Sequence, residues 1–208
     1  MSLAPGYGET PVSDDELDSL VPEARELLGQ PIPKSAVYDL EQELQSEAAE
    51  AMLFEVYDGS LTLDALLTDH FVRELHRRLY GDIWSWAGVF RKRELNIGVA
   101  PEQIAVELRG ALESILYRWQ RTDDWTPREL GIAVHAEVVR IHPFVDGNGR
   151  ATRLLADLVF AAAQEAPAPE VYDWEVDKGR YIGLLREYDR HRDSRELAAF
   201  VRTRPLGE

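Results

Sequence analysis

The sequence lacks cysteine altogether, and no apolar run approaches the roughly 20 residues that a membrane-spanning helix requires. Disulfide bonds are therefore excluded, and the absence of cysteine is compatible with a reducing cytosol. Residues 14–18 are mostly acidic, whereas a secretory signal would carry positive charge before an apolar stretch. From these absences we expect a soluble, cytoplasmic protein without a membrane partner.

Basic residues are also scarce, because 23 Lys and Arg stand against 38 Asp and Glu and the formal net charge is −15. Attraction between basic side chains and the phosphate backbone supplies most of the non-specific affinity for nucleic acids. DNA and RNA are therefore not expected as partners. The basic residues that are present gather locally, notably at Arg150 and Arg153, and a local cluster can still bind one polyphosphate.

The remaining composition is that of an ordinary globular protein, with 45% hydrophobic and 29% charged residues. A chain of 208 residues is long enough for one principal domain. Residues 1–33 are dense in proline and glycine and predict a flexible acidic arm with room for at most one short helix. Residues 34–59 contain mainly Ala, Glu, Gln and Leu and predict an acidic helix from about Ser35 to Tyr57.

From residue 60 to 205 the apolar residues recur at three- and four-residue steps, which is typical of amphipathic helices. The predicted helices cover 63–79, 101–119, 127–142, 150–163, 179–190 and 195–202. Residues 91–100, which we call the flap, look extended, with turn residues at Asn96, Ile97 and Gly98, and predict a small β-hairpin. The fold class is therefore all-α with one small β element.

The loop between the helices predicted at 127 and 150 carries the residues that suggest chemistry. Gly147, Asn148 and Gly149 tolerate positive φ. Where right-handed and left-handed residues alternate along a segment, successive N–H groups point to the same side and form a concavity that binds an anion. This concavity would open into a helix whose dipole also favours negative charge. Arg150 in the first turn of that helix is unfavourable against the dipole unless an anion binds there.

The charged residues around this loop suit a nucleotide. Arg150 and Arg153 lie one turn apart and can hold a di- or triphosphate. Asp146 would face phosphate oxygens unless a divalent cation lay between them, and Mg²⁺ commonly binds one or two carboxylates together with substrate phosphates. His142 could accept a proton from an incoming hydroxyl near neutral pH. Together these residues indicate group transfer from a nucleotide.

These residues resemble the signature of Fic (Fido) proteins, with the run His-Pro-Phe-x-Asp-Gly-Asn-Gly-Arg-x-x-Arg at residues 142–153. The stretch Trp-Ser-Trp-Ala-Gly-Val-Phe-Arg at 84–91 and Asn-Ile-Gly at 96–98 are similar to the subgroup called mobile mystery protein B. The resemblance covers residues 60–205. It implies an all-α Fic domain whose active site is the helix-loop-helix at 127–163, with a flap over the nucleotide that pairs with an extended segment of the target.

The resemblance also implies an activity, the transfer of AMP from ATP to a Ser, Thr or Tyr hydroxyl of a target protein. His142 is the implied base, Asp146 the Mg²⁺ ligand and residues 147–149 the phosphate cradle, while Arg150 and Arg153 clamp the phosphates. One family variant transfers the γ-phosphate and has lysine in place of the second cradle glycine, which is Gly149 here. A nucleotide-binding module without catalysis and an enzyme that removes AMP are the alternatives.

Fic proteins are often restrained by a helix whose glutamate pairs with the second arginine of the clamp. Ser46 and Glu50 fit part of that pattern, although Ala51 departs from it, and Glu43 is a second candidate. The partners implied are the target protein and a regulatory protein of the antitoxin type. The other histidines, His70, His76, His135 and His191, lack a ligand at metal-binding spacing, and His135 is predicted to be structural.

Overall fold

The computed structural model describes residues 14–29, 31–164 and 169–206, and in this part of the chain helices dominate. The all-α fold class is confirmed. The helices are α1 (Asp14–Ser19), α2 (Pro22–Leu28), α3 (Lys34–Tyr57), α4 (Leu63–Leu66), α5 (Asp69–Tyr80), α6 (Ile104–Arg121), α7 (Pro127–Ile141), α8 (Asn148–Ala163), α9 (Lys178–His191) and α10 (Arg195–Phe200). Two short antiparallel strands, β1 (Glu170–Tyr172) and β2 (Thr203–Pro205), complete it.

Helix α7 lies at the centre of the fold. It begins with a capping box, in which the Thr126 side chain accepts from the Glu129 N–H and the Glu129 side chain accepts from the Thr126 N–H, and Pro127 follows at the first helical position. Residues from Leu130 to Val138 are buried on every side of the helix, as the apolar pattern predicts. The helix packs most extensively on α8, so the loop between them is held by two core helices.

Two hydrophobic clusters lie on either side of this helix pair. The larger cluster joins α4, α5, α6 and the C-terminal part of α3 to α7 and α8, and it includes Leu75, Leu108 and Phe144. The smaller cluster packs α9, α10 and β1 on the opposite side, around Phe160 and Tyr172. The loop between α7 and α8 is therefore fixed to the core at Phe144.

Helix α3 confirms the acidic helix predicted from about Ser35 to Tyr57, and it packs on α5 and α8. The described part of the preceding segment differs from the predicted flexible arm. Residues 14–29 form two short helices, and Leu20 and Ala24 are buried. Leu20 pairs with Trp84 in an isolated β-bridge. Proline and glycine here separate short helices that pack on the domain; residues 1–13 lie outside the described ranges.

Three local predictions need correction. The helix expected from 63 to 79 is interrupted, because the Thr68 side chain accepts from the Phe71 N–H and caps a new helix, α5. The helix expected from Pro101 opens with a single 3₁₀ turn before α6. The flap contains no assigned strand, and the small β element is β1 with β2. Within the described ranges, no helix combines the length and apolar character needed to cross a membrane.

Candidate active site

His142 marks the end of α7 and has an unusual backbone conformation. Its N–H still donates to the Val138 carbonyl at 3.0 Å, while its φ of 54° and ψ of 62° place it in the left-handed region. A residue other than glycine pays about 1 kcal/mol or more for this conformation. The following residue is Pro143, which cannot continue the helix. The chain therefore turns sharply at His142 and carries its imidazole off the helix, as predicted.

The surroundings of His142 favour the neutral form of its imidazole. Burial lowers its pKa below the ordinary 6.5, and the nearby positive charge of Arg91 lowers it further, against a hydrogen bond to the Val139 carbonyl and the charge of Asp146. A neutral ring that donates one N–H to a carbonyl has a lone pair on its other nitrogen. His142 can therefore accept a proton near neutral pH, which is the property that a general base requires.

The loop that follows His142 is closed by a side chain from its own end. Asn148 is 3% exposed. Its Oδ1 accepts from the Phe144 N–H at 2.9 Å, and its Nδ2 donates to the Phe144 carbonyl at 2.8 Å. Both polar groups of the amide are therefore satisfied within the loop, and the Asn148 side chain shapes the loop and is not free to contact a ligand.

The phosphate cradle also differs in its backbone from the predicted nest. Gly147 is left-handed, with φ of 72°, but Asn148 and Gly149 already belong to the right-handed helix α8. Left- and right-handed conformations therefore do not alternate along residues 147–149. The cradle is the N-terminus of α8, whose first N–H groups have no partner within the helix. One donor is already engaged, because Gly147 N–H donates to Asp146 Oδ1 at 2.7 Å. The expected chemistry, binding of an anion at a helix N-terminus, is unchanged.

Gly147 is required by its neighbour as well as by its backbone angle. An added Cβ would lie 2.6 Å from two ring carbons of Tyr80, which is closer than real Cβ contacts. The Tyr80 hydroxyl donates to the Gly147 carbonyl at 3.4 Å. The Tyr80 ring therefore packs directly against the entrance to α8, and the Arg150 guanidinium lies over the same ring at 5.2 Å.

His76 is a site residue that the sequence reasoning missed. Its ring is fully buried and stacks on Phe144 with 3.7 Å between centroids. Nδ1 accepts from the Gly88 N–H at 2.9 Å, so Nε2 carries the proton and donates to the Asp146 carbonyl at 3.1 Å. His76 therefore ties the loop to the Trp84–Arg91 segment. The available signal was its place one turn from Val72 and Tyr80 on the buried face of α5.

The two arginines have different neighbours. Arg150 Nη1 donates to Glu41 Oε2 of α3 at 2.7 Å, and its side chain stays 40% exposed. Arg153 lies beside Gly149, because a Cβ added to Gly149 would be 3.4 Å from Arg153 Nη1. Among the described residues, none of the ion pairs includes Arg153. Glu43 and Glu50 are exposed. The glutamate that reaches the clamp is Glu41, and it contacts the first arginine.

Clefts lie on both sides of Arg153. One of about 780 Å³ runs between α3 and α8 and is lined by both Arg150 and Arg153. The other, of about 980 Å³, runs between α8, β1 and α9, and Arg153, Trp174, Tyr181 and Lys178 line it. The cleft between α3 and α8 therefore offers room beside both arginines, whereas the second cleft is lined by Arg153 and not by Arg150.

Asp146 is exposed at the entrance to α8. Within the described ranges, no group of three or more His, Cys, Asp or Glu side chains is placed to hold a metal ion. One carboxylate beside a phosphate site is nevertheless the donor set that Mg²⁺ uses when substrate phosphates complete its coordination. The residues present therefore fit Mg²⁺ only as a partner of a bound polyphosphate.

The flap is joined to the active-site loop through Arg91, which is 2% exposed. Arg91 Nε donates to the His142 carbonyl at 2.8 Å, Nη1 donates to the Arg93 carbonyl at 3.0 Å, and Nη2 donates to the Val99 carbonyl. Gly98 has φ of 89° and lies so close that a Cβ would be 2.7 Å from His142 Cβ. Gly98 therefore lies beside His142 in irregular backbone, whereas Asn96 and Ile97 are exposed.

Two buried histidines make stability sensitive to acid. Burial lowers the pKa of His76 from 6.5 to about 4 and that of His135 from 6.5 to about 3, whereas burial raises the pKa of Asp157 from 3.8 to about 6. Between pH 6 and 4.5 unfolding therefore takes up two protons at the histidines and releases one at Asp157. We expect the free energy of unfolding, measured with urea, to fall by about 1.4 kcal/mol per pH unit as pH drops.

The Asp157→Asn variant provides the matched test, because it removes the group that opposes the histidines. Its absolute stability will be lower, since Asp157 accepts from the Tyr172 N–H and the Trp174 indole. Its slope over the same pH range should nevertheless be about twice that of the unchanged protein. Equal and flat slopes in both proteins would mean that the buried histidines do not titrate on unfolding.

With the geometry established, comparison with known proteins gives a consistent result. The Fic/DOC family model matches residues 66–160. A Fido domain-containing protein of Dictyostelium discoideum is 32% identical over 123 residues, which cover 55% of this chain and 82% of that protein. The chain belongs to the Fic/DOC family. Its subgroup within Fic proteins stays a prediction.

Other Fic proteins match in sequence or in fold. The protein adenylyltransferase Fic of Drosophila willistoni is 30% identical over 143 residues, or 62% of this chain. The chain spans only 26% of the length of that relative. The Bartonella tribocorum BepC protein, solved with bound AMPPNP, shares the fold with a TM-score of 0.61 and 18% identity, covering 83% of this chain and 89% of that one.

Proposed function

We propose that this Fic protein is a protein adenylyltransferase, which transfers AMP from ATP to a hydroxyl side chain of a target protein. The observation that carries the proposal is the position of His142. Its neutral imidazole projects from a left-handed residue at the end of α7, and the anion-binding end of α8 with its two arginines begins six residues later. A base and a phosphate site on one rigid loop are what transfer from a nucleotide requires.

The roles of the residues follow from this arrangement. The N-terminal N–H groups of α8 and the guanidiniums of Arg150 and Arg153 bind the phosphates of ATP. His142 takes the proton of the target hydroxyl, whose oxygen forms a bond to the α-phosphorus. The bond from the α-phosphorus to the oxygen that bridges to the β-phosphate breaks, and pyrophosphate leaves with the electron pair. Mg²⁺ held by Asp146 would neutralise charge on the polyphosphate.

The relatives support the same activity. The Drosophila proteins that match about 62% of this chain are named protein adenylyltransferases. The BepC structure contains AMPPNP, and a Fic domain from Bartonella quintana contains ADP. Gly149 also favours this reading, because the phosphate-transferring variant of the family has lysine there. Proteins with an accessible Ser, Thr or Tyr are the proposed substrates.

The position of the label in ATP tests the proposal directly. The full chain is incubated with a cell lysate and ATP that carries the label at either the α- or the γ-phosphate. We expect protein-bound label only from the α position. Label only from the γ position would identify a kinase-like enzyme. Binding of ATP without any transfer would favour a nucleotide-binding module, and release of AMP from a modified protein would identify the reverse reaction.

A further inference from the structure

Glu41 of α3 is a buried carboxylate in direct contact with the phosphate site. It is 3% exposed. Oε2 accepts from Arg150 Nη1 at 2.7 Å, and Oε1 accepts from the Trp84 indole N–H at 2.6 Å. Both oxygens are therefore engaged, one by the clamp and one by the aromatic segment that precedes the flap. Glu41 lies outside residues 66–160, the range that the family model matches.

The contact limits the movement of Arg150. The guanidinium is held by Glu41 at one end and lies over the Tyr80 ring at 5.2 Å, and that ring packs against Gly147 at the entrance to α8. If Arg150 turned away to follow a ligand, it would leave a buried carboxylate without its cation, which is strongly unfavourable. The Arg150 side chain is still 40% exposed, and a guanidinium has five N–H donors. It can keep Glu41 and bind a phosphate simultaneously.

We propose that Glu41 is a positioning residue, which holds Arg150 in place to bind the nucleotide phosphates, so that α3 is a structural part of the nucleotide site. The inference rests on the proposed function only in that Arg150 is taken to bind a phosphate. The contacts link three residues in series: the Trp84 indole orients Glu41, Glu41 orients Arg150, and Arg150 binds the phosphate of the ligand. Glu41 itself need not touch the nucleotide.

The opposite role for the same contact makes the opposite prediction. A glutamate that merely neutralised or blocked Arg150 would weaken phosphate binding, and its removal would strengthen binding and speed transfer. A positioning glutamate has to be present for full affinity. The sign of the change on removing the carboxylate charge therefore decides between the two roles.

The experiment compares Glu41→Gln with Glu43→Gln, which changes an exposed glutamate two residues away on the same helix. Binding of ATP is measured by equilibrium titration, and transfer by label from α-labelled ATP. For Glu41→Gln we expect the Kd and KM for ATP to rise about 10-fold, with kcat changed less than KM, because a charge-assisted hydrogen bond that orders Arg150 is lost. For Glu43→Gln we expect no change.

A second variant guards against a loss of folding. Trp84→Phe keeps the aromatic ring and removes the N–H that orients Glu41. Trp84→Phe should raise the Kd for ATP by a smaller factor than Glu41→Gln does. The double variant should bind ATP no more weakly than Glu41→Gln alone, because both changes act through Arg150. Thermal unfolding of each variant shows whether the fold is kept.

The binding titration separates this inference from the proposed activity. If the unchanged protein binds ATP but transfers no AMP, the proposed function fails, and the Kd values still test Glu41. An unchanged or lower Kd for ATP in a folded Glu41→Gln variant would overturn the positioning role. A faster transfer by that variant would also overturn it and would make the contact inhibitory. Failure of the unchanged protein to bind ATP would overturn both proposals.

Discussion

The His142→Ala variant is expected to lose most of the transfer of label from α-labelled ATP, with kcat falling by about 10²- to 10⁴-fold, the usual contribution of a general base. The Kd for ATP should stay within about 2-fold of that of the unchanged protein, because in the proposed mechanism α8 and the arginines, and not the imidazole, bind the phosphates. Initial rates and equilibrium titration with ATP check the two halves of this prediction.

His142→Asn serves as a second variant, because asparagine tolerates the left-handed backbone at this position better than most residues and cannot act as the base. It should be as inactive as His142→Ala, whereas His70→Ala, which changes an exposed histidine, should transfer normally. If either His142 variant keeps more than about a tenth of the rate, a different group accepts the proton.

The pH dependence of kcat/KM, which reports the pKa of the free enzyme, gives an independent test of His142. A general base must be deprotonated, and burial together with Arg91 lowers the pKa of His142 below 6.5. On the acid side, kcat/KM should therefore fall along a limb whose midpoint lies below pH 6.5. An acid limb centred above pH 6.5 would contradict the role of Arg91 and of burial.

The local part of the site could be predicted from the sequence, because its signals lie close together along the chain. The capping box at Thr126 and Glu129 fixes where α7 begins, and Pro143 fixes where it must end. Gly147 marks the left-handed entry to α8. These features depend on backbone geometry within a few residues, which single residue types such as proline and glycine report directly.

The contacts that brace the site could not be predicted so easily, because they join distant residues. Glu41 and Arg150 are 109 positions apart, and His76 and Asp146 are 70 apart. A signal did exist in both cases. Glu41 lies one turn from Val37 on the buried face of α3, as His76 does beside Val72 on α5. A polar residue on an apolar helix face requires a partner, but the pattern does not say which one.

The flap is a second feature that could not be predicted from the sequence, for a different reason. Its extended look and its turn residues at 96–98 predicted a hairpin, but the segment is held instead by the Arg91 side chain, which donates to three carbonyls, including those of His142 and Val99. Arginine is rarely buried, so the residue pattern did not predict that Arg91 lies inside the protein. Because Arg91 is buried and donates to the His142 carbonyl, the flap and His142 share one support, and a change at Arg91 would affect both.

The largest loss of stability is expected for Gly147→Ala. The substitution forces a Cβ onto a residue with φ of 72° and places it 2.6 Å from Tyr80 ring carbons. The left-handed backbone and the overpacking together should lower the free energy of unfolding by about 2–4 kcal/mol. Because Tyr80 also supports Arg150, we expect the Kd for ATP to rise more than 10-fold. Urea unfolding and titration with ATP measure the two effects.

Gly110→Ala is the matched control within the same chain. Gly110 lies on an exposed part of α6, and an added Cβ there meets nothing within 4 Å. The same methyl group should therefore stabilise the protein by about 0.5–1 kcal/mol, because alanine favours a helix over glycine. The Kd for ATP should not change.

The double variant Tyr80→Ala with Gly147→Ala separates the two causes at Gly147. Removing the ring relieves the clash but leaves the left-handed backbone, so part of the penalty that Gly147→Ala causes should disappear when it is measured against Tyr80→Ala alone. ATP binding should stay weak, since Arg150 then lacks the ring beneath it. If Gly147→Ala alone binds ATP as tightly as the unchanged protein, the entrance to α8 is not where the phosphates lie.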